Sequence, residues 1–389
     1  MLCQFQPEAE HLDILRNSLR RFLDRHAPCE KTRIWEKNRE FARDAFAHLA
    51  ELGVCGLTID EEHGGVGRDL VAAVLVIEEL CRTGVSLAGP YIQCAFYGGV
   101  NISEKGSARQ KAELLPSLAR GELIFAYGLT EPNTGADLAS VSTRAERRPD
   151  GSVLINGTKR WCTAAEYSDY IYCLVKSDSE APRYRNLSFV LIPSDAPGVT
   201  IQPIEHAGMG YAHSSDVIFE NVVVSEDLIV GGPESWNKGW PMLVGPALDV
   251  EKLEIAAMAY GLAKAVVEKT RLYAAEREQF GRAIFGHQAV AHAIAMAETK
   301  LLACRHMLYH AAWLANEGVP CSKETSMAKL FVSETAVEIG LSCQKILGAY
   351  GFSDEYDVVR LVGDLLLLPV IGGSTNIQLN NISKQLIRA

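Results

Sequence analysis

Ser152-Val153-Leu154-Ile155-Asn156-Gly157-Thr158-Lys159-Arg160-Trp161-Cys162-Thr163 interrupts a chain whose texture is otherwise helical. Ser152–Ile155 favours a strand, Asn156-Gly157 is a strong hairpin signal, and Lys159–Thr163 reads as the returning strand. Downstream, Tyr170–Val175, Leu187–Ile192, Val199–Ile204 and Val217–Val224 are short, rich in Val, Ile and Tyr, and separated by Pro and Gly. These stretches predict a β domain over residues 123–236. Upstream, over residues 1–122, apolar residues recur at helical spacing. Leu12, Leu15, Leu19, Phe22 and Leu23 share one face, Phe41, Ala45, Leu49 and Leu52 a second, and Leu70, Val74, Ile77 and Cys81 a third. Pro28, the turn His63-Gly64-Gly65-Val66-Gly67, and Gly89-Pro90 act as breakers. Over residues 237–389 the helices lengthen. Ile255, Ala259, Leu262, Val266 and Tyr273 form one stripe. Val290, Ile294, Ala297, Leu301, Cys304, Leu308, Ala311 and Ala315 form a seam of the kind found between packed helices. The order helices, strands, helix bundle makes an α+β chain of three domains.

Composition removes several function classes. Lys and Arg total 38 against 48 Asp and Glu, a formal charge of −10, with no basic stripe for a phosphate backbone. No nucleic acid is expected as partner. Apolar runs such as Leu70–Ile77 and Leu365–Ile371, the latter containing Pro369, are far short of the ~20 residues of a membrane helix. Ten cysteines are scattered without a C-x-x-C, and ten histidines show no ligand spacing, so neither a disulfide framework nor a metal site is expected. Met1-Leu2-Cys3-Gln4 turns polar at once, without the pattern of a signal peptide. The expected location is cytoplasmic. G-x-G-x-x-G, a P-loop, H-E-x-x-H and G-x-S-x-G are all absent.

Four stretches carry chemistry. Tyr127-Gly128-Leu129-Thr130-Glu131-Pro132-Asn133-Thr134-Gly135-Ala136-Asp137 is a strand ending in a turn that exposes N–H groups. Trp161 and Thr163 are two apart, so a regular strand puts both on one face. Arg277-Glu278-Gln279-Phe280-Gly281, with Ile284 and His287-Gln288 beyond, offers a permanently charged fork suited to a pyrophosphate and a ring to pack on a flat group. Gly372-Gly373-Ser374-Thr375-Asn376 is a flexible turn into the last helix. Singly, each is a common turn or helix end; the four in this order are specific.

Together they resemble the acyl-CoA dehydrogenase family of flavoproteins, over nearly the whole chain. The resemblance implies a helical N-terminal domain, a central β-barrel-like domain and a C-terminal four-helix bundle, with FAD held between subunits of a homotetramer. It implies that Tyr127, Leu129, Thr130, Gly135 and Ala136 form the flavin loop, and that Trp161 and Thr163 pack on and hydrogen-bond the isoalloxazine. Arg277, Gln279, Phe280, Ile284, His287 and Gln288 would reach the FAD of a neighbouring subunit, joined by Lys345, Gly348, Ser374 and Asn376. Tyr91 and Phe96, with Gln93 and Tyr97, match the helix that lines the acyl pocket. Asp249, Lys252 and Gly373 match positions that touch the substrate.

In that family a carboxylate removes the acyl α-proton while the β-hydrogen leaves as hydride, and electrons pass on to an electron-transfer flavoprotein. Many members carry the base as Glu in the turn before the last helix. Here that position is Gly372, which keeps only its backbone donor. Other members carry it in a Leu-Asp-x-Glu-Arg stretch, here Leu248-Asp249-Val250-Glu251-Lys252. Glu251 is therefore the expected base, and Glu254, one turn on, the second choice. Lys345, Ala349 and Gly363-Asp364-Leu365 depart from the family's usual residues, which allows an altered interface and a heterotetramer with a related subunit. A flavin oxidase, monooxygenase or reductase on the same fold, or a non-catalytic subunit, are the alternatives.

Overall fold

A computed structural model of the chain describes residues 9–388; the Met1–Gln4 segment lies outside them. The first layer is helical: α1 (Glu10–His26), α2 (Cys29–Asn38), α3 (Arg43–Ala50) and α4 (Leu70–Leu80). Pro28 caps α2, a helix whose polar sequence carries no apolar stripe. Leu52, expected on the buried face of the second helix, is instead exposed, because α3 stops at Ala50. Gly89-Pro90 does not break the chain's helicity. Pro90 sits in the first turn of α5 (Ala88–Tyr91), where its missing N–H costs nothing. That turn runs on through a π-helical stretch, Ile92–Val100, into α6 (Asn101–Lys105), followed by α7 (Ala108–Ala119). A π segment re-aims side chains and is commonly found at functional sites.

The middle layer is a curled seven-stranded sheet. Its strands are β1 (Phe125–Gly128), β2 (Arg144–Arg147), β3 (Ser152–Thr163), β4 (Tyr170–Lys176), β5 (Leu187–Pro193), β6 (Val199–Ile204) and β7 (Ser214–Ser225). The order is β1-β4-β2-β3-β7-β6, with β5 also on β4. β4 is buried on both faces. Tyr172 and Leu174 face the helical core, while Ile171, Cys173 and Val175 face the sheet's own core. This explains its continuous apolar run.

The hairpin expected at Asn156-Gly157 does not form. β3 runs straight through, and both halves pair with β7, with Val153 opposite Val224 and Lys159 opposite Val217. The bulge here is on β7: Ile155 pairs with Val222 and Gly157 with Phe219, so Asn156 faces both Glu220 and Asn221, and Asn221 has φ 53. Gly157 takes φ 144, and a Cβ there would lie 2.6 Å from the Thr143 backbone. A second bulge lies between Lys159 and Cys162, and Trp161 within it has φ 63.

The last layer follows α8 (Gly239–Leu243). It comprises α9 (Pro246–Glu276), a small hairpin of β8 (Glu278–Gln279) and β9 (Arg282–Ala283), α10 (Gln288–Asn316), α11 (Ser322–Leu347), α12 (Val358–Leu365) and α13 (Thr375–Arg388). Ile294, Ala297, Leu301, Cys304, Leu308 and Ala311 are buried along α10, as the seam predicted. One continuous apolar core joins the helical layers to one face of the sheet. Among the described residues no helix is long and apolar enough to cross a membrane, and no cluster of side chains suits a metal ion.

Candidate functional site

The site grows from the start of α9. The chain is extended at Gly245 and turns helical, placing Asp249 in the first turn and Glu251 in the second. Asp249 fastens this end to α11. Its Oδ1 accepts from Lys252 Nζ at 2.8 Å and from Thr325 Oγ1 at 3.2 Å. Lys252 is fully buried and also reaches Ser322 Oγ at 3.4 Å. The two residues expected to touch substrate thus also pin α9.

With that turn fixed, Glu251 projects into a cavity of about 260 Å³ lined by Asn101, Tyr127, Leu129, Tyr172, Met242 and Leu248, among others. All three layers contribute to its wall. The Glu251 carboxyl makes no hydrogen bond to a described protein group. Burial pushes its pKa up to about 7, against the pull of Lys252 and Lys329. Glu254, one turn along the same face, lines a second, adjoining cavity with Phe96, Tyr97 and Val250. Burial and the neighbouring Glu251 carboxylate drive Glu254 well above the usual carboxylate range, and proximity to the Tyr97 hydroxyl only tempers this.

Opposite Glu251 stands the turn from α12 to α13. Lys329, fully buried on α11, donates to Gly373 O at 2.9 Å and Pro369 O at 3.3 Å. Gln378 Nε2 donates to Gly372 O at 3.1 Å and Gly373 O at 2.9 Å. With its carbonyls tied down, the turn leaves the Gly372 N–H without a protein acceptor among the described residues. Gly372 has φ 57. A Cβ built there would lie 3.9 Å from Glu251 Oε1 but only 1.8 Å from Ile255 Cδ1. Ile255 therefore fills the space that a side chain at 372 would occupy. The two candidate base positions converge on one point, and only Glu251 can hold a carboxylate there.

Sequence reading missed what holds the loop after β1. Glu131 and Lys159 form a buried ion pair at 2.8 Å. Glu131 also accepts from the Ser142 and Thr143 N–H groups at 2.7 and 2.8 Å, and Lys159 donates to Leu129 O at 3.2 Å. Burial opposes ionisation of Glu131, but Lys159 and these hydrogen bonds outweigh it and bring its pKa to about 2. The visible signal was a lysine at a strand position that alternation points inward. The pair holds Leu129 and Thr130 against β3, whose Arg160 N–H donates to Thr130 O at 2.8 Å. Gly135 and Ala136 stay exposed, and no atom lies within 4 Å of a Cβ built on Gly135.

Trp161 is half exposed beside this loop, with Arg160 5.4 Å over its ring. Thr163 Oγ1 lies 2.8 Å from Ser214 Oγ, and its carbonyl accepts from Gln93 Nε2 at 2.8 Å. Phe96 and Tyr97 line the second cavity, and Tyr97 stacks on Tyr127 at 3.8 Å. Tyr91 is a core residue: it is fully buried, its hydroxyl faces Val54 O, and it lines neither cavity.

The remaining candidates gather elsewhere. Arg277 ends α9 and lies 5.8 Å over the Tyr350 ring. The β8–β9 turn thrusts Phe280 into solvent, 94% exposed at φ 55, with His287 edge-on at 5.9 Å and bonded to Gln279 O. Ile284 is buried beneath this hairpin, and Gln288 opens α10 exposed. Lys345 and Gly348 end α11 exposed, and Ser374 and Asn376 begin α13. Within one subunit this group is a surface.

The comparisons with known proteins agree along the whole length. Profiles of the acyl-CoA dehydrogenase N-terminal, middle and C-terminal domains match residues 9–122, 126–222 and 237–387. An acyl-CoA dehydrogenase of Bacillus subtilis (strain 168) is 33% identical over 91% of this chain and 92% of its own length. A glutaryl-coenzyme A dehydrogenase solved with glutaryl-CoA is 28% identical, with a TM-score of 0.92 over 100% of this chain and 97% of that one. A structure reported for the electron transferring flavoprotein of Acidaminococcus fermentans is 28% identical, with a TM-score of 0.90 over 98% of this chain and 99% of that one. With three consecutive domain matches laid over the helix–sheet–helix order and its shared cavity, this chain belongs to the acyl-CoA dehydrogenase family, FAD-dependent oxidoreductases that act on a CH–CH bond.

Proposed function

We propose that the chain oxidises an acyl-CoA to its 2,3-enoyl-CoA, with Glu251 as the base, and passes the electrons to an electron-transfer flavoprotein. One observation carries the reading. A partnerless carboxyl, poised near pH 7 in an apolar cavity, faces a turn whose Gly372 N–H is also partnerless. A base works best when its pKa lies near the working pH, and a preorganised N–H stabilises charge developing on a thioester oxygen. Glu251 would take the α-proton while the Gly372 N–H supports the thioester oxygen. Lys329 and Gln378, by holding the neighbouring carbonyls, keep that donor in place.

The residues fit FAD. Trp161 offers a half-exposed flat ring, Gly135 leaves open space in the loop after Thr130, and Thr163, two residues beyond Trp161, carries a hydroxyl paired with Ser214. Bound there, FAD supplies the acceptor for the β-hydrogen. Phe280, Arg277, His287 and Gln288 form an exposed group on the far bundle, which suits a second subunit's cofactor in a homotetramer. Asp249, partly exposed, would meet the CoA end, with Lys252 buried beneath it holding its carboxylate in place. The electron-transfer partner is supported by the likeness to the Acidaminococcus structure. The test is anaerobic bleaching of the purified yellow protein by straight, branched and aromatic acyl-CoAs. Rapid bleaching by at least one thioester is expected; FAD that none of them reduces would overturn the reading.

A further inference from the structure

Glu251 has a use in the reaction; Glu254 has none. Yet Glu254 is 1% exposed, and neither of its carboxyl oxygens makes a hydrogen bond of normal geometry, although the Tyr97 hydroxyl lies close enough to ease its ionisation. Leaving a buried polar group unmade is expensive, and buried polar groups in native proteins are almost always satisfied. A hydrophobic residue would fill this place at no such cost. Glu254 is also not sealed in the core. Its carboxyl lines the cavity of about 150 Å³ that adjoins the Glu251 cavity, bounded by Phe96, Tyr97, Val100 and Tyr127. Asn101, Tyr127 and Glu251 border both spaces, so the two are neighbours across these three side chains. A polar group without a well-made hydrogen bond, aimed into an otherwise aromatic cavity, awaits a partner that arrives with the substrate.

We propose that Glu254 is a specificity residue that selects acyl groups carrying a hydrogen-bond donor, a hydroxyl or an amine, over plain alkyl chains of the same size. This deepens the dehydrogenase reading and rests on it. On a helix, side chains three apart sit about 5–6 Å from one another. If Glu251 meets the α-carbon, Glu254 meets the γ or δ carbon of the same chain. The rings of Phe96, Tyr97 and Tyr127 give the carbon skeleton an apolar bed and suit an ammonium as well as a hydroxyl. An acyl group ending in a carboxylate, like the glutaryl group in the relative's complex, would have to give up its hydration in a buried space where burial already opposes the charge of Glu254.

The experiment uses the holoenzyme and pentanoyl-CoA, 4-hydroxybutyryl-CoA, 4-aminobutyryl-CoA and glutaryl-CoA. Binding is read by calorimetry and flavin reduction by anaerobic stopped flow. A site built around a polar partner strongly rejects the analogue that lacks it. The wild type should therefore bind the hydroxy or amino thioester at least tenfold more tightly than pentanoyl-CoA, and glutaryl-CoA most weakly. Glu254→Leu should reverse that order and favour pentanoyl-CoA. Glu254→Gln, which keeps the shape, should retain the hydroxyl preference and lose any amine preference. Should the leucine variant fail to fold, the glutamine variant and the wild-type ranking still decide. A wild type that prefers pentanoyl-CoA while bleaching normally overturns the selectivity and leaves the dehydrogenase intact. Flavin that no thioester bleaches overturns both.

Discussion

Glu251 and Glu254 share one face of α9, and their protons are coupled, so they titrate as a pair. Reduction of the flavin by substrate should rise with pH through an apparent pKa near 7, the point at which Glu251 loses its proton. The same shift sets a stability trend of known sign. Both carboxyls lie above their ordinary 4.5 in the folded state, so the fold holds their protons more tightly than the unfolded chain does. That contribution is complete below pH 4.5 and is lost as the pH climbs past it. Replacing Glu254 by Leu removes part of this loss. The Tm gain of Glu254→Leu over wild type should therefore be larger at pH 8 than at pH 5; equal gains at both would show that Glu254 ionises as freely as in water. Gly372 carries the opposite expectation. With φ 57 and Ile255 Cδ1 1.8 Å from its Cβ position, Gly372→Ala should disturb the turn, and Ile255→Ala should partly rescue it. Substrate binding measured in the single and double variants checks this; a Gly372→Ala protein that binds like wild type would refute the close packing.

At the scale of elements, strands were legible wherever alternation or an apolar run marked them. The bulged β3 was not. Asn-Gly in a β context signals a two-residue turn, but here the strand runs on with Gly157 at positive φ, and its partner β7 takes up the irregularity with an extra residue opposite Asn156. Nothing local distinguishes the two outcomes; the register of β7 decides. The buried Lys159–Glu131 pair was hidden for the same reason, since its members are 28 positions apart. Lys159→Met leaves Glu131 as a buried, unpaired charge, which costs about 3–5 kcal/mol. Denaturant unfolding should show that loss, together with poorer FAD retention, and Lys159→Met with Glu131→Gln should recover much of it. A stability unchanged in Lys159→Met would remove the pair from its role under the flavin loop. Lys329 couples another element to the chemistry. It ties the Pro369 and Gly373 carbonyls and lowers the Glu251 pKa. Lys329→Met should move the acid limb of the pH–rate profile above 7; a limb that stays or falls would contradict the coupling.

At the scale of the molecule, the three-part order was plain from composition and periodicity, and the family from four motifs in sequence. The cavity was not, because its walls come from the start of α6, from β1, β4 and β5, and from α8 and α9, far apart in the chain. That Ile255 occupies the side-chain space of Gly372 could be found only by packing α9 against the turn before α13. The exposed Phe280 hairpin belongs to this scale too. If it completes a neighbour's cofactor site, Arg277→Ala should lower FAD content and loosen the oligomer together, read by absorbance and sedimentation; a fully loaded monomer would contradict the shared site. The central claim is that a carboxylate on the bundle's first helix abstracts the proton. Anaerobic single-turnover reduction of Glu251→Gln by the best acyl-CoA tests it most directly, since the change keeps shape and removes basicity. The account predicts FAD and acyl-CoA binding close to wild type and flavin reduction slowed by about 10² or more; reduction at the wild-type rate would contradict it.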